Sequence, residues 1–315
     1  MLAEIIVVTY HSRGAAAEEL DRFVRLASSN DSQLAWSFVD NSEDSADAYY
    51  LENTLTDTTN TRVLRRPDNP GFAAACNEAA QSSRSEWVIF VNPDILLTDS
   101  DLAIILAHLS ATPSDVSCVA LSQQTGPLAH QGVSFNRAGW FMDRPLQRAK
   151  TPSTGRARLY RAIGGAGRLL GPSGGAAAFR RETFLRMGGF YEPLFAWGED
   201  ADLAMRLYLI GEPCAGLDIS LPHQGGHSVT AGRVSRRRAQ LLVSNRITIA
   251  ARLYSMPQGL AFAAFLGAVL LAKTPLMIRH GTLAAHWAGV ATAGRGMRQA
   301  RASYTGPRLR LRGAR

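Results

Sequence analysis

Polar side chains suited to binding a ligand follow three apolar stretches in the N-terminal third of this chain. The stretches are "EIIVVTY" (4–10), "LAWSFVDNS" (34–42) and "WVIFVNPDILL" (87–97). The polar residues are, in chain order, Thr9 and Tyr10, Asp40 and Asn41, and Asn92 and Asp94. Proline fixes its own φ and lacks a backbone N–H. Pro93 is therefore predicted to end the strand in the third stretch and to direct Asp94 away from that strand. Side chains of these types predict a polar binding pocket if the fold brings the three ends together.

A second pair of carboxylates begins a predicted helix in "FAWGEDADLAMRL", residues 195–207. Glu199 and Asp200 stand at its N-terminus, a position that by itself also suits helix capping and a favourable interaction with the helix dipole. Just upstream, "GPSGGAAAF" contains only tiny residues from Gly174 to Ala178, which predicts a strand that another backbone or a ligand approaches closely.

The elements that must position these groups alternate along the N-terminal two thirds of the chain. Apolar runs of strand length (4–10, 34–42, 61–66, 87–92) alternate with stretches of helical character (15–26, 71–81, 101–109). This order predicts an α/β fold, a mainly parallel sheet with helices on both faces. Ligands of such sheets bind at the carboxyl ends of the strands, where the polar residues fall. The alternative is that each of them is a turn former or a helix cap.

Charge divides the chain into two unequal parts. All 26 acidic residues lie at or before Asp218, so residues 1–218 carry a net charge of −7 and residues 219–315 a net charge of +15. The basic part suits a polyanionic partner, either anionic lipid head groups or nucleic acid. Three widely spaced cysteines indicate a reduced, cytoplasmic compartment, and the first residues do not resemble a secretory signal.

The basic part contains "GLAFAAFLGAVLLA", fourteen uncharged residues from Gly259 to Ala272. A membrane-spanning helix needs about twenty apolar residues, so this run is predicted to be too short to cross a bilayer. Flanking basic residues favour an interfacial helix, and an ordinary core helix is the alternative.

Five segments in this order resemble family 2 of the nucleotide-sugar glycosyltransferases, which have the GT-A fold, and in particular its bacterial rhamnosyltransferase-like members. They are "VVTYHS", "VDNSEDS", "DNPGFAAACNEA", "FVNPDILL" and "GPSGGAAAFRRETFLRMGGFYEPLFAWGEDADLAMRLYLIG". The resemblance covers about residues 4–250. It implies a GT-A catalytic domain over residues 1–230, with a donor part to about 120 and an acceptor part beyond. Residues 231–315 then form a basic, partly apolar helical segment that associates with membrane.

The resemblance also implies a donor site. Asp94 occupies the last position of the family's D-x-D motif and binds a divalent cation, Mg²⁺ or Mn²⁺, that bridges the donor diphosphate. Asn92 stands where the family has its first aspartate, so this chain has one negative charge fewer. The other implied donor-binding residues are Thr9, Tyr10, Asp40, Asn69, Gly71 and Asn77, with Asp40 accepting from the pyrimidine base.

For catalysis, the resemblance implies that Asp200 is the base that deprotonates the acceptor hydroxyl. Glu199 binds the acceptor or orients that base. In "PHQGGHSV", His223 matches the histidine that reaches the metal, which leaves His227 at a variable position. A single base without a covalent intermediate implies inversion at the anomeric carbon.

The sequence thus predicts an inverting, metal-dependent glycosyltransferase, peripheral at the inner face of the cell membrane, that builds a bacterial envelope glycan. The expected donor is dTDP-rhamnose, with UDP-N-acetylglucosamine or UDP-galactofuranose as alternatives. The expected acceptor is a polyprenyl-diphosphate-linked glycan. A nucleotidyltransferase and a non-catalytic nucleic-acid-binding module are the alternatives from other classes. A nucleotidyltransferase would have a basic, glycine-rich loop after the first strand, and this chain supplies only Arg13 and Gly14 there. A nucleic-acid-binding module would interleave aromatic residues with its arginines to stack on bases, and this pattern does not occur in the basic part, so no nucleic-acid partner is expected.

Overall fold

The structure is a computed structural model. It describes residues 1–29, 33–125, 128–136, 138–146, 169–223 and 233–310. His227, the predicted domain boundary at residue 230 and the Arg- and Gly-rich segment 155–168 lie outside these ranges.

The first 111 residues alternate strands and helices as the sequence predicts, with a further helix over residues 46–54 that was not predicted. The elements are β1 (Ala3–Thr9), α1 (Ser12–Ala15), α2 (Ala17–Ser28), β2 (Leu34–Asp40), α3 (Ala46–Thr54), β3 (Thr61–Arg65), α4 (Phe72–Ser82), β4 (Trp87–Val91) and α5 (Asp99–Ala111). Helix α5 begins two residues before the predicted start, because Thr98 and Asp101 form a capping box there.

The second part contains more regular structure than the sequence indicates. Its elements are β5 (Cys118–Thr125), β6 (Leu128–Phe135), β7 (Phe141–Pro145), β8 (Ala176–Arg180), α6 (Arg181–Arg186), a 3₁₀ helix (Glu192–Leu194), α7 (Glu199–Ile210) and β9 (Cys214–Pro222). Strands β5, β6 and β7 were not predicted from the sequence. Buried polar residues such as Gln123 and Gln131 hide the apolar alternation of these strands.

The strands form one sheet in the order β3-β2-β1-β4-β8-β5-β6-β7, with β9 paired to β5. Strands β3, β2, β1 and β4 are parallel to one another. Strands β8, β5, β6 and β7 join through antiparallel pairings. The predicted α/β class is therefore confirmed, and the sheet is parallel in its N-terminal half and mixed as a whole.

Apolar side chains fill both faces of the sheet. On one face, Ile5 and Val7 of β1 pack with Leu20 and Phe23 of α2. On the other face, Ile6 belongs to a cluster with α4, α6 and α7. This alternation within a single strand is expected for a sheet buried on both sides.

Three helices follow the sheet: α8 (Arg233–Leu253), α9 (Met256–Arg279) and α10 (Leu283–Ala302). Helix α8 shares a third core cluster with α7, β6 and β7, through residues such as Ile249, Leu253, Met205 and Val133. Phe262 and Leu266 of α9 join the same cluster.

Helix α9 is longer than the sequence predicts. It runs for 24 residues, from Met256 to Arg279. Pro257 lies in its first turn, where proline is tolerated, and Lys273 and Pro275 lie within the helix. Among the described residues it is the one helix long and apolar enough to cross a membrane, and 17% of its apolar window is buried. The expectation that this segment is too short to cross a bilayer is therefore wrong as far as length is concerned.

Candidate active site

The carboxyl ends of β1 and β2 lie side by side. Thr9 is the register partner of Asp40, and the backbone N–H of Asn41 donates to the carbonyl of Thr9 over 3.0 Å. Thr9 is fully buried, and its hydroxyl has no partner among the described residues. The polar residues predicted at the ends of the first two strands therefore meet at one edge of the sheet.

The Asp40 carboxylate is buried and binds the loop that follows its own strand. Its two oxygens accept hydrogen bonds from the backbone N–H groups of Ser42 (2.7 Å) and Ala48 (2.8 Å). Ala48 lies in the first turn of α3, so Asp40 stabilises the start of that helix. The structure thus gives Asp40 a structural task, and the predicted contact with a nucleotide base remains a prediction.

Asp47 on α3 fixes the segment after β1, a role that the sequence did not indicate. Its carboxylate accepts from the backbone N–H groups of Ser12 and Arg13, each over 2.8 Å. The adjacent Tyr10 is about half exposed, and its hydroxyl lies 3.4 Å from Glu43. Tyr10 therefore stands at the surface of a loop whose backbone is firmly held.

Asn69 and Gly71 lie in the loop before helix α4 and Asn77 lies on that helix, and Gly71 and Asn77 contact the segment before α7. Gly71 has a φ of 95°, and a Cβ there would lie 2.7 Å from the carbonyl oxygen of Phe195. Asn69 also has a positive φ, 42°. The side chain of Asn77 is buried, and it exchanges two hydrogen bonds with the backbone of Phe190. These contacts join α4 to the acceptor half; no described contact tests the predicted role in donor binding.

Asp94 and His223 come together across 129 residues of sequence. The turn from Asn92 to Ile95 carries Asp94, and Ile95 bridges to His223 at the end of β9. Nε2 of His223 lies 3.1 Å from Oδ2 of Asp94. This hydrogen bond and the charge of Asp94 raise the pKa of His223, against the opposing effect of burial. Oδ1 of Asp94 and Nδ1 of His223 are buried without a partner among the described residues.

Glu199 and Asp200 occupy the first turn of α7, and their surroundings differ. Burial and the neighbouring Asp200 raise the pKa of Glu199 to about 8, and its Oε2 has no partner among the described residues. Asp200 is partly exposed and accepts from the backbone N–H groups of Gly174 (2.8 Å) and Ala201 (2.7 Å). Burial raises the pKa of Asp200, and these two hydrogen bonds lower it.

Two consecutive glycines join the Asp94 turn to Asp200. Gly174 donates to Asp200, and the carbonyl of Gly175 accepts a hydrogen bond from the backbone N–H of Asn92 over 2.9 Å. A Cβ at Gly174 would lie 3.3 Å from Glu199, and one at Gly175 would lie 2.4 Å from Gln123. The close approach predicted for this stretch is therefore observed, and it brings the two groups of polar residues to one place.

Asp143 on β7 belongs to the same region and was not identified from the sequence. Its charge raises the pKa of His223 and of Asp200, in addition to the larger effects of the Asp94 hydrogen bond and of burial. Asp143 lies outside the five recognised segments, so no sequence pattern marks it.

The sequence profile described as Glycosyl transferase family 2 matches residues 4–185, more than half of the chain. The chain belongs to glycosyl transferase family 2. The resemblance of the five segments to family 2 is thus confirmed, and the protein is a glycosyltransferase. No curated protein matches this family 2 member in the sequence comparison.

Solved structures similar to this family 2 glycosyltransferase support the GT-A fold. The mannosyltransferase PcManGT from Pyrobaculum calidifontis, in complex with GDP-Man and Mn²⁺, matches 92% of this chain and 86% of its own with 17% identity and a TM-score of 0.53. GalNAc-T7 with UDP, GalNAc and Mn²⁺ matches 81% of this chain and 48% of its own with 11% identity and a TM-score of 0.52. S. aureus TarS 1–349 in complex with UDP matches 96% and 91% with 15% identity and a TM-score of 0.50. At these identities the similarity establishes the fold alone.

Proposed function

We propose that this protein is an inverting, metal-dependent glycosyltransferase that moves a sugar from a nucleotide diphosphate to a hydroxyl of an envelope glycan. The observation that carries the proposal is the Gly174–Gly175 link. It holds the Asp94 turn and Asp200 on neighbouring residues of one backbone segment. Transfer requires a diphosphate-binding group and a base on either side of one anomeric carbon, and this link supports that arrangement.

Asp94 and His223 are the residues that would hold the divalent cation. One carboxylate and one imidazole with unpartnered buried atoms suit a cation that takes its remaining ligands from phosphate oxygens. Among the described residues no group of three or more His, Cys, Asp or Glu side chains could hold a metal by itself, which agrees with such sharing. When bound, the cation supplies positive charge that stabilises the departing diphosphate. Solved relatives of the fold contain Mn²⁺ with their nucleotides.

Asp200 is the group that removes the proton from the acceptor hydroxyl. Burial raises the pKa of Asp200, which makes it a stronger base, and the backbone N–H groups that hold both of its oxygens oppose this rise. Glu199 beside it is buried and holds a proton near neutral pH. A neutral Glu199 also avoids placing a second charge beside the base. Because the base acts directly on the attacking hydroxyl and no nucleophile of the chain forms a bond to the sugar, the configuration inverts.

The donor we propose is dTDP-rhamnose, on the strength of the sequence resemblance. A UDP-sugar is the second candidate, supported by the UDP in two similar structures. Thr9, Tyr10 and Asp40 at the ends of β1 and β2 are the proposed nucleoside-binding residues. The buried, unpartnered hydroxyl of Thr9 leaves a hydrogen-bonding group there for the nucleoside.

The acceptor we propose is a polyprenyl-diphosphate-linked glycan, reached by peripheral attachment to the inner face of the cell membrane. Helix α9 packs Phe262 and Leu266 on the protein and exposes leucines on its other side, with Leu260 68% and Leu271 74% exposed. The +15 net charge of residues 219–315 is complementary to an anionic leaflet. A helix that packs along the protein and exposes an apolar face suits an interfacial position.

The test is thermal stabilisation of the purified protein by a panel of nucleotide sugars, with and without Mn²⁺ or Mg²⁺. The panel contains dTDP-rhamnose, UDP-N-acetylglucosamine, UDP-galactofuranose and GDP-mannose. We expect one of the first three to raise the melting temperature in a metal-dependent way, and Asp94→Ala to remove this effect. Free dTTP or UTP with a sugar phosphate serves as the control for a nucleotidyltransferase. Stabilisation only by that pair, or by no nucleotide at all in folded protein, would overturn the proposal.

A further inference from the structure

The loop that delivers Glu199 and Asp200 has an unusual backbone. Between the 3₁₀ helix and α7, Phe195 has φ 63° and ψ −66°, Trp197 has φ 65° and Gly198 has φ 133°. Positive φ is disfavoured for side chains as bulky as phenylalanine and tryptophan, so interactions outside the loop must hold it in this form.

One side chain from the C-terminal helices makes most of those interactions. Nδ2 of Asn245, on α8, lies 2.9 Å from the carbonyl oxygen of Leu194, 2.8 Å from that of Ala196 and 3.0 Å from that of Trp197. The carbonyl of Phe195 accepts instead from the backbone N–H of Ala73 on α4, over 3.1 Å. Four consecutive carbonyls of the strained loop thus have partners on two other elements.

The chemistry of the amide suits this position. Carbonyl oxygens only accept hydrogen bonds, so only the NH₂ end of Asn245 can face the loop, and its two hydrogens are shared among three acceptors. Asn245 is 3% exposed, which removes water as a competitor. Behind it, Ile249 lies one turn further along α8 and would contact a Cβ at Gly198 at 3.4 Å.

We propose that Asn245 is a positioning residue for the transfer reaction, which fixes the loop 194–198 and thereby the placement of Asp200 toward the acceptor. This rests on the proposed role of Asp200 as the base. Asp200 lies two residues after the loop, and its own orientation depends on a 2.8 Å hydrogen bond from Gly174 that a small shift of the α7 start would lengthen. Asn245 itself touches no reacting group.

Asn245→Asp is the sharpest variant, because it keeps the shape of the side chain and replaces the Nδ2 donor with an oxygen that faces three carbonyl oxygens. Hydrogen–deuterium exchange of the peptide covering residues 194–203 should rise in this variant, while exchange in β1 and β4 stays unchanged. The kcat should fall by about 100-fold, the loss expected for a catalytic group misplaced by about 1 Å, with donor KM within about twofold of wild type. The pH at which Asp200 must ionise in the kcat profile should also shift.

Asn245→Ser, which retains a donor for one carbonyl, should lie between the wild type and Asn245→Asp, and it replaces the aspartate variant if that one does not fold. Val243→Ala is the control, since Val243 is buried on the same helix but lies against Gly289 of α10. Unchanged exchange at 194–203, or equal loss of donor binding and kcat, overturns the positioning role. If exchange at 194–203 rises in the variant but the wild type transfers no sugar, the proposed function is overturned, whereas the role of Asn245 in holding the loop is not.

Discussion

The backbone N–H of Gly174 donates a 2.8 Å hydrogen bond to Oδ2 of Asp200. The residue after Gly174 accepts from Asn92, two positions before Asp94. One dipeptide therefore sets the separation between the proposed metal ligand and the proposed base. Such a rigid connection reduces the reorganisation needed when donor and acceptor are both bound.

Asp200→Asn should abolish most of the sugar transfer without affecting donor binding. The amide preserves the shape and keeps one of the two oxygens that accept from Gly174 and Ala201, but it cannot take up the proton of the acceptor hydroxyl, so kcat should fall by about 10²- to 10⁴-fold. Metal-dependent thermal stabilisation by the donor should persist. Asp99→Asn is the matched control, because Asp99 is also a first-turn helix carboxylate but is exposed at the start of α5. Wild-type kcat in folded Asp200→Asn would rule out its role as base.

Glu199→Gln should change how stability depends on pH. The folded protein raises the pKa of Glu199 from 4.5 to about 8, so between these values it binds more protons than the unfolded chain. The free energy of unfolding therefore falls as pH rises through this window, by up to a few kcal/mol. Glutamine carries no charge, so the variant should lose that decline.

Urea unfolding of wild type and Glu199→Gln at about pH 5 and about pH 8 measures this effect. The two proteins should be similar at the lower pH, and the variant should be the more stable one at the higher pH. A constant difference at both values would show that Glu199 does not carry the extra proton.

Asp94→Asn and His223→Gln should each weaken metal binding, since they remove the charge of one proposed ligand or the imidazole of the other. We expect the Mn²⁺ concentration needed for half-maximal donor stabilisation to rise at least about tenfold in each variant. The double variant should lose little more than the stronger single one, because both side chains act on the same ion. Unchanged Mn²⁺ dependence in both variants would remove the proposed metal site.

The N-terminal half of the fold could be predicted because its strands are nearly pure apolar runs. Strands β1, β2 and β4 are buried on both faces; β1 and β2 end in predicted polar residues, and β4 ends directly before Asn92. Strands β5 and β6 escaped prediction because they bury glutamines, whose partners lie on distant segments. No local pattern identifies a buried polar residue that is satisfied by a long-range contact.

The same reason explains what was missed at the site. Asn245 stands in an arginine-rich helix, and Asp47 in a helix with little amphipathic character, so neither attracts attention in the sequence. Their significance lies in the backbone groups that they bind some tens of residues away. Asp94 and Asp200 were found because the segments around them form recognisable motifs.

Gly71→Ala should destabilise the protein and impair the site together. A Cβ at Gly71 would lie within 2.8 Å of both the ring and the carbonyl oxygen of Phe195, at a φ of 95° that alanine disfavours. We expect a loss of about 2–4 kcal/mol in the free energy of unfolding from strain and overpacking. Gly14→Ala is the control, since its Cβ meets nothing within 4 Å and its φ is not positive, so its stability should change by less than about 1 kcal/mol. Equal effects of the two substitutions would contradict the close packing of α4 against the loop before α7.

Helix α9 should mediate binding to anionic membranes. Leu260 and Leu271 are 68% and 74% exposed, so replacing both with glutamate should leave the fold intact while it removes apolar contact and adds negative charge. Co-sedimentation with phosphatidylglycerol vesicles should fall at least about tenfold in this variant, since burying one leucine is worth about 1.5–3 kcal/mol. Ile104→Glu, at a 49% exposed position on α5, should bind like wild type. A panel of DNA and RNA oligonucleotides tests the other polyanion: binding to nucleic acid, with none to vesicles, would mean that the +15 charge of residues 219–315 serves a different partner.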